Sequence, residues 1–173
     1  MSLDESIYRE FLGEVERAAE EIRRLIDEDR SFVIFCHNDA DGLSSGAIAS
    51  IMFLKEGVRF LTRSVGGIDD ILEGLKDFSG DFTPVFTDIG SGYLDEIVKV
   101  VGDSPVIILD HHEPAGEASK NIIQVNPHLC GINGADEISG AGVTYLVAKA
   151  LNEENVSYSP IAVVGALGDL QDR

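Results

Sequence analysis

The sequence is poor in cysteine, in basic residues and in long apolar runs, and each shortage argues against a class of protein. Two cysteines, Cys36 and Cys130, are too few for a disulfide framework. No apolar stretch approaches the roughly 20 residues that a membrane-spanning helix needs. The first five residues, MSLDE, are acidic where a secretory signal peptide is basic. We therefore expect a cytoplasmic protein that does not act at a membrane.

Basic residues are outnumbered by acidic ones, 13 to 31, which leaves a net charge of −18. This charge is typical of a solvated acidic surface, and it repels nucleic acid at long range. Tryptophan is absent and there are only four tyrosines, so platforms for stacking single-stranded nucleic acid are scarce. A polyanionic substrate would therefore need divalent cations, or a basic segment outside this sequence, to attract it.

The chain does have enough length and apolar content for one core, with 173 residues of which 44% are hydrophobic. Short β-branched and aromatic runs alternate with longer segments of helical periodicity. The predicted strands cover residues 31–36, 58–62, 84–87, 105–109 and 122–125. The predicted helices cover residues 3–29, 41–55, 68–75, 93–100, 140–151 and 160–170. The alternation predicts a Rossmann-like α/β fold, with a mostly parallel five-stranded sheet and helices on both faces.

Acidic and imidazole side chains follow directly after the first predicted strand. His37, Asp39 and Asp41 lie within five residues, and burying them together is costly unless a divalent cation pairs with them. Gly42 and other small residues open the next helix, whose N-terminus suits a phosphate group. The alternative is an aspartate-rich turn that caps this helix. In an open α/β sheet, ligands bind at the edge to which these residues belong.

The third and fourth predicted strands end in the same way. Asp88 alone could be a helix cap, but together with the other blocks it is a candidate to bridge two metal ions. Asp110, His111 and His112 follow the apolar run 105–109. Neighbouring residues at a strand end point in different directions, so one imidazole can bind metal while the other faces substrate. Asp110 can orient an imidazole; the alternative is a pair of surface histidines beside a turn.

Asp169 lies near the end of the predicted last helix, in the motif GALGD. An aspartate in an apolar helix needs a metal or a salt bridge if it is buried, and otherwise lies exposed at the helix end. The candidate ligands are His37, Asp39, Asp41, Asp88, His111 and Asp169. This set of oxygen and nitrogen donors suits Mn²⁺ or Mg²⁺ better than Zn²⁺. Two ions ~3.5–4 Å apart would form a centre that hydrolyses phosphoesters.

The blocks HNDADG, a strand-terminal aspartate, DHH and GALGD occur in this order, and together they resemble the DHH phosphoesterases, especially their archaeal RecJ-like branch. The resemblance covers about residues 31–172. It implies that Asp88 bridges both ions. The metal ligands that it implies are Asp39, Asp41, Asp88, His111 and Asp169. In many members a histidine stands four residues before the first of these aspartates; here that position is Phe35, and His37 stands two residues before.

The resemblance also implies residues that face the substrate. His112 is expected to contact the scissile phosphate, with Asp110 supporting it. The residues expected near the cleft are His128, Ser139, Gly140 and Gly142. For His128, an ordinary loop histidine is the alternative.

The function that the resemblance implies is a phosphoesterase that uses two Mn²⁺ or Mg²⁺ ions. A single-strand nuclease or oligonucleotide phosphodiesterase is the first expectation, with single-stranded nucleic acid and replication or repair proteins as partners. The alternatives are a small-molecule phosphatase and a non-catalytic, replication-associated scaffold. Family members usually carry a second, substrate-binding domain. Residues 1–173 are therefore expected to form the catalytic domain of a truncated protein, with residues 1–29 as its leading helix.

Overall fold

The computed structural model describes residues 5–78 and 82–171, which form five strands and six α-helices; these alternate as far as the fourth strand, and the fifth strand and the last two helices follow it. The strands are β1 Ser31–His37, β2 Phe60–Val65, β3 Phe82–Thr87, β4 Val106–Leu109 and β5 Ile122–Val125. The helices are α1 Glu5–Asp27, α2 Ala40–Lys55, α3 Ile68–Lys76, α4 Leu94–Val101, α5 Gly140–Leu151 and α6 Ser159–Gly168. Residues 3 and 4, at the start of the predicted first helix, lie outside the described residues. So does residue 172, the last residue of the range that resembles the DHH phosphoesterases.

All described strands pair in parallel in the order β2-β1-β3-β4-β5. The predicted α/β fold is therefore confirmed, and the sheet is parallel throughout. Cys36 pairs with Thr87, Thr87 with Leu109 and Leu109 with Val125. This register brings the carboxyl ends of β1, β3, β4 and β5 level at one edge. The chain turns to opposite sides of β1 to form β2 and β3, and ligands bind at such a switch point in open α/β sheets.

Helices cover both faces of the sheet because successive residues of a buried strand point to opposite sides. Ile107 packs in the core beneath α1, α2 and α5. Its neighbour Ile108 packs in a second core with Ile71 of α3 and Ile97 of α4. The near-continuous apolar character of β1, β3 and β4 follows from this double burial.

The second strand begins later than the sequence predicts. After α2, Val58 donates its N–H to the carbonyl of Phe53, and Gly57 adopts φ 69°, so the helix closes through residue 58. The edge strand that follows continues through polar residues to Val65, because one side of it faces solvent. Polar edge residues of this kind are hard to recognise as strand from hydrophobicity alone.

Within the described residues, three short 3₁₀ helices add to the predicted elements, at Ser91–Tyr93, Pro127–Cys130 and Glu153–Tyr158. The second of them interrupts the predicted loop after β5. Both cysteines are buried and unpaired. In the described ranges, no helix combines the length and the apolar character that crossing a membrane requires.

Candidate metal centre

The backbone at the end of β3 holds Asp88 in a strained conformation. Its φ is 60°, in the left-handed region that aspartate tolerates better than most side chains. Its N–H donates to the carbonyl of Leu109 at 2.9 Å, which continues the β3–β4 ladder. The carboxylate is 1% exposed. Strained, buried polar residues of this kind concentrate at functional sites.

His111 lies at the centre of the first group of donors. Its Nε2 is 3.1 Å from Oδ1 of Asp88, 3.2 Å from Oδ2 of Asp169 and 3.8 Å from Oδ2 of Asp41. On the other side of the ring, Nδ1 lies 2.8 Å from the carbonyl oxygen of Gly134. Because a carbonyl only accepts, Nδ1 carries the proton and Nε2 is the atom directed at the carboxylates.

A second group of donors surrounds His37. Its Nδ1 lies 2.6 Å from Oδ2 of Asp39 and 3.7 Å from Oδ2 of Asp88. The two oxygens of Asp88 thus face different histidines, Oδ2 towards His37 and Oδ1 towards His111. This is the arrangement that a carboxylate bridging two ions requires.

Three sets of side chains place their donor atoms within 4.8 Å of one another, as a bound metal ion requires. The sets are His37, Asp39 and Asp88; Asp41, His111 and Asp169; and Asp88, His111 and His112. All six ligands expected from the sequence therefore come together at one edge of the sheet. His112, expected to face substrate, also lies within reach of a metal.

Buried polar atoms without hydrogen bonds support a cation at this place. Oδ1 of Asp88, Nε2 of His111 and Nδ1 of His37 are buried, and their close contacts with one another and with Asp39 lack hydrogen-bond geometry among the described residues. Such atoms are rare in folded proteins because leaving them unpaired is costly. Two divalent cations, one beside His37 and one beside His111, would pair with these atoms, and the mixture of carboxylate and imidazole suits Mn²⁺ or Mg²⁺.

The pKa values of three candidate ligands are raised, whereas that of Asp39 is lowered, because the raising effect of burial is outweighed by the N–H of Gly42 and by the adjacent His37. Burial raises the pKa of Asp88 to about 8, against the lowering effect of His111. Burial would lower the pKa of His111, but the adjacent Asp88 carboxylate and the Gly134 carbonyl raise it to about 9. Burial and the nearby charge of Asp41 raise the pKa of Asp169. The metal-free centre therefore retains protons that a metal would displace.

Asp39 and Asp41 each have a capping role as well. The side chain of Asp39 accepts the N–H of Gly42 at 2.8 Å and caps α2. Asp41 is fully buried and accepts the N–H groups of Gly140 and Ala141, at 2.6 and 3.0 Å. These two groups begin α5, so Asp41 ties α2 to α5. The capping of helices by Asp39 and Asp41 is therefore compatible with metal binding by the same side chains.

Asp110 does not belong to a metal-binding set but fixes the loop that carries both histidines. It is completely buried and accepts the N–H groups of Ser91 and His111, both at 2.8 Å. Nδ1 of His112 lies 2.8 Å from its Oδ1. Burial would raise the pKa of Asp110, but its bond with His112 and those from the backbone lower it. The same bond raises the pKa of His112, whose side chain is 52% exposed.

Two glycines that sequence reasoning passed over allow the ligands to pack closely. A Cβ atom on Gly165 would overlap with Asp41 and Ala141, and one on Gly134 would overlap with the backbone of His111. Gly165 belongs to the motif GALGD, in which the sequence analysis identified only Asp169 as a candidate site residue. The spacing of Gly165 and Gly168 on one helix face was the available signal, since small residues allow close helix packing.

The residues expected near the substrate have packing roles in this structure. Ser139 is buried and caps α5 by accepting the N–H of Gly142 at 3.2 Å. A Cβ atom on Gly140 would overlap with Asp88. His128 lies beside Gly134, and its N–H donates to Asn126. Their contact with a substrate stays a prediction.

Phe35, at the position where many family members carry a histidine, packs in the second hydrophobic core and belongs to none of the metal-binding sets. It is fully buried and stacks on Phe86, with 5.3 Å between the ring centroids. His37, two residues later on the same strand, provides the imidazole next to Asp39 instead.

Residues 31–168 match the DHH family, N-terminal domain. An uncharacterized protein of Methanocaldococcus jannaschii is 36% identical over 169 residues, which cover 94% of this chain and 38% of that protein. The single-stranded-DNA-specific exonuclease RecJ of Bacillus subtilis is 28% identical over 167 residues, which cover 90% of this chain and 21% of that protein.

A solved structure of exonuclease RecJ bound to manganese has the same fold, with a TM-score of 0.74 at 23% identity. The match covers 90% of this chain and 43% of the RecJ chain. The sequence thus spans less than half the length of these relatives. The resemblance to the DHH family is confirmed by the match over most of the chain, which belongs to that family and corresponds to the family's N-terminal domain.

Proposed function

We propose that this domain is a metal-dependent phosphoesterase that hydrolyses phosphodiester bonds at a two-metal centre. The observation that carries the proposal is the position of Asp88, whose two oxygens face two different histidines across the sheet edge. His37, Asp39 and Asp88 would hold one ion, and Asp41, Asp88, His111 and Asp169 the other. When bound, two such ions neutralise phosphate oxygens and lower the pKa of a coordinated water.

Protein groups around the ions would orient the substrate. His112 is the most exposed of the two DHH histidines, and Asp110 fixes its ring and raises its pKa. A protonated His112 would donate a hydrogen bond to a phosphate oxygen, where negative charge develops during hydrolysis. Asp110 itself, completely buried, acts by positioning.

We propose single-stranded nucleic acid or an oligonucleotide as the substrate, with replication or repair proteins as partners. The relative in B. subtilis, named as a single-stranded-DNA-specific exonuclease, supports this choice. The net charge of −18 favours a second candidate, a small phosphate compound, because it opposes long polyanions.

Hydrolysis of a fluorescent single-stranded oligonucleotide and of pyrophosphate tests the proposal directly. We expect Mn²⁺ to activate cleavage of the oligonucleotide by the purified chain, and EDTA to stop it. Cleavage of pyrophosphate alone would support the second candidate. If the chain binds Mn²⁺ but cleaves neither compound, the phosphoesterase assignment is wrong for this chain.

Metal binding should release protons near neutral pH. The pKa of Asp88 is raised to about 8 and that of His111 to about 9 in the metal-free centre. Because Mn²⁺ binds the deprotonated groups, its affinity should rise as the pH increases from 6 to 8. Calorimetry in two buffers with different ionisation enthalpies measures the protons released. A Mn²⁺ affinity that does not change between pH 6 and 8 would contradict the prediction that Asp88 and His111 hold protons in the metal-free centre.

A further inference from the structure

Asn133 is the only asparagine in the sequence that is followed by a glycine. It lies in the loop before α5 with an exposed side chain, whereas Gly134 is buried. The backbone nitrogen of a following residue can attack an asparagine side chain and expel its amide nitrogen as ammonia. Glycine permits this attack best, because it has no side chain to obstruct the close approach. The pair is therefore a candidate site of spontaneous deamidation.

The backbone nitrogen that would attack is not held by a partner. The N–H of Gly134 forms no hydrogen bond with the described residues, whereas the N–H of Ala135 donates to Oδ1 of Asn133 at 3.1 Å. This bond closes a turn around the Gly134 nitrogen, and it stabilises the negative charge that develops on Oδ1 during the attack. Asp136 accepts from Nδ2 of Asn133 at 2.7 Å and fixes the rotation of the side-chain amide. The loop thus orients the amide near a nitrogen that is free to attack.

Deamidation at this position needs only water as a co-reactant. The Gly134 nitrogen forms a bond to Cγ of Asn133, and the bond from Cγ to Nδ2 breaks. The proton lost by the Gly134 nitrogen balances the one that Nδ2 takes up as it leaves as ammonia. Water then opens the resulting succinimide at one of its two carbonyls. Opening at one carbonyl yields aspartate, and opening at the other yields isoaspartate, in which the backbone runs through the former side chain.

The carbonyl of Gly134 connects this loop to the metal centre. Its oxygen lies 2.8 Å from Nδ1 of His111 and accepts from Nε2 of Gln171 at 3.1 Å. A Cβ atom on Gly134 would overlap with the backbone of His111 and come within 2.9 Å of the ring of His128. The packing that orients His111 therefore requires a glycine directly after Asn133, and with it the deamidation-prone pair.

We propose that Asn133 deamidates in the folded chain, and that the isoaspartate product weakens the metal site that contains His111. Isoaspartate adds a methylene to the backbone directly before Gly134 and so displaces the Gly134 carbonyl from Nδ1 of His111. Loss of such an orienting partner costs ~10–100-fold in metal affinity. The consequence for the metal site rests on the two-metal centre of the proposed function and is independent of its hydrolytic chemistry. The modification limits the time for which the metal-free chain stays competent to bind the ion.

Ageing of the purified, metal-free chain in warm, mildly alkaline buffer, followed by peptide mass spectrometry, tests the modification itself. We expect Asn133 to lose its amide before any other asparagine does. Asn152 is the matched internal control, because its Oδ1 also accepts the N–H of the residue two positions on, Glu154, at 3.1 Å, but no glycine follows it. Asn133→Ser is the matched variant, since serine keeps an acceptor for the N–H of Ala135 and has no amide to lose.

Calorimetric titration with Mn²⁺, before and after ageing, tests the consequence for the metal centre. In the aged parent we expect one of the two sites to weaken by about 10–100-fold, while the site formed around His37 keeps its affinity. Aged Asn133→Ser should bind Mn²⁺ as the fresh variant does. Fresh Asn133→Asp has the charge of the product without the extra methylene, so it should bind like the fresh parent. Treatment with a protein isoaspartate methyltransferase and S-adenosylmethionine, which converts isoaspartate to aspartate, should restore the affinity of the aged parent.

Three results would overturn the inference: an Asn133 that keeps its amide as long as Asn152, an isoaspartate form that binds Mn²⁺ as tightly as the fresh parent, or an equal loss of affinity in fresh Asn133→Asp, which would assign the effect to charge. A fresh parent that binds no Mn²⁺ would contradict the inference together with the metal centre. Failure of the proposed function alone has a different outcome, since the fresh parent would then bind Mn²⁺ without hydrolysing either compound, and ageing would still weaken one site.

Discussion

Replacing Asp88 with asparagine is expected to abolish Mn²⁺-dependent hydrolysis and to weaken both metal sites together. Asparagine keeps the shape of the side chain and tolerates the left-handed φ of 60°, so the fold should persist. It removes the charge that faces His37 and His111. Loss of a supporting group near a metal costs ~10–100-fold in affinity, and we expect loss of a bridging ligand to cost about 100-fold or more.

Calorimetric titration with Mn²⁺, alongside the hydrolysis assay, measures both effects. Glu96→Ala is a suitable control, since it removes an acidic side chain from the exposed part of α4. If only one of two Mn²⁺ sites weakens in Asp88→Asn, Asp88 is a ligand to one ion and the bridging assignment is wrong. Normal hydrolysis by Asp88→Asn would show that Asp88 does not belong to the metal centre.

Alanine at Asp41 should destabilise the metal-free chain much more than alanine at Asp39, although the two aspartates belong to one motif. Asp41 is fully buried, and its loss leaves the N–H groups of Gly140 and Ala141 without their acceptor. At ~1–3 kcal/mol for each of the two orphaned groups, we expect a loss of about 2–6 kcal/mol. Asp39 is a partly exposed helix cap, worth ~1 kcal/mol.

Thermal unfolding in the presence of EDTA separates this structural role from metal binding. For a chain of this size, the loss at Asp41 corresponds to a decrease in Tm of about 4–24 °C, and the loss at Asp39 to about 2–4 °C. Equal decreases for the two variants would show that the link from α2 to α5 contributes little. Added Mn²⁺ should raise the Tm of the parent but not that of Asp41→Ala.

The sequence was sufficient to predict the sheet, its helices and the edge at which the candidate ligands meet. Apolar runs that end in Asp88 or in Asp110 are informative because a parallel sheet aligns the carboxyl ends of its strands. The first boundary of β2 was misplaced, since an edge strand with one solvated side lacks the apolar run that identifies a central strand.

Contacts that depend on tertiary packing could not be predicted from the sequence. The Gly134 carbonyl that orients His111 belongs to a loop, and any backbone carbonyl there would look the same in the sequence. The contact of Gly165 with Asp41 depends on how α6 packs against α2. Likewise, Asp41 and Asp39 look equivalent in the motif, and only the fold shows that one is buried and the other is partly exposed.

The parallel register has a consequence for how fast the centre can form. Every pair of neighbouring described strands is parallel, so each pairing joins segments that are separated by a crossover connection. Contacts of this kind form only after the chain has closed a long loop, and the entropy lost in that closure slows folding. Each set of candidate ligands combines residues from different strands or helices, and these converge only when the sheet and its helices are assembled. A bound ion would therefore mainly slow unfolding. It would lengthen the lifetime of the native chain and have little effect on the folding rate.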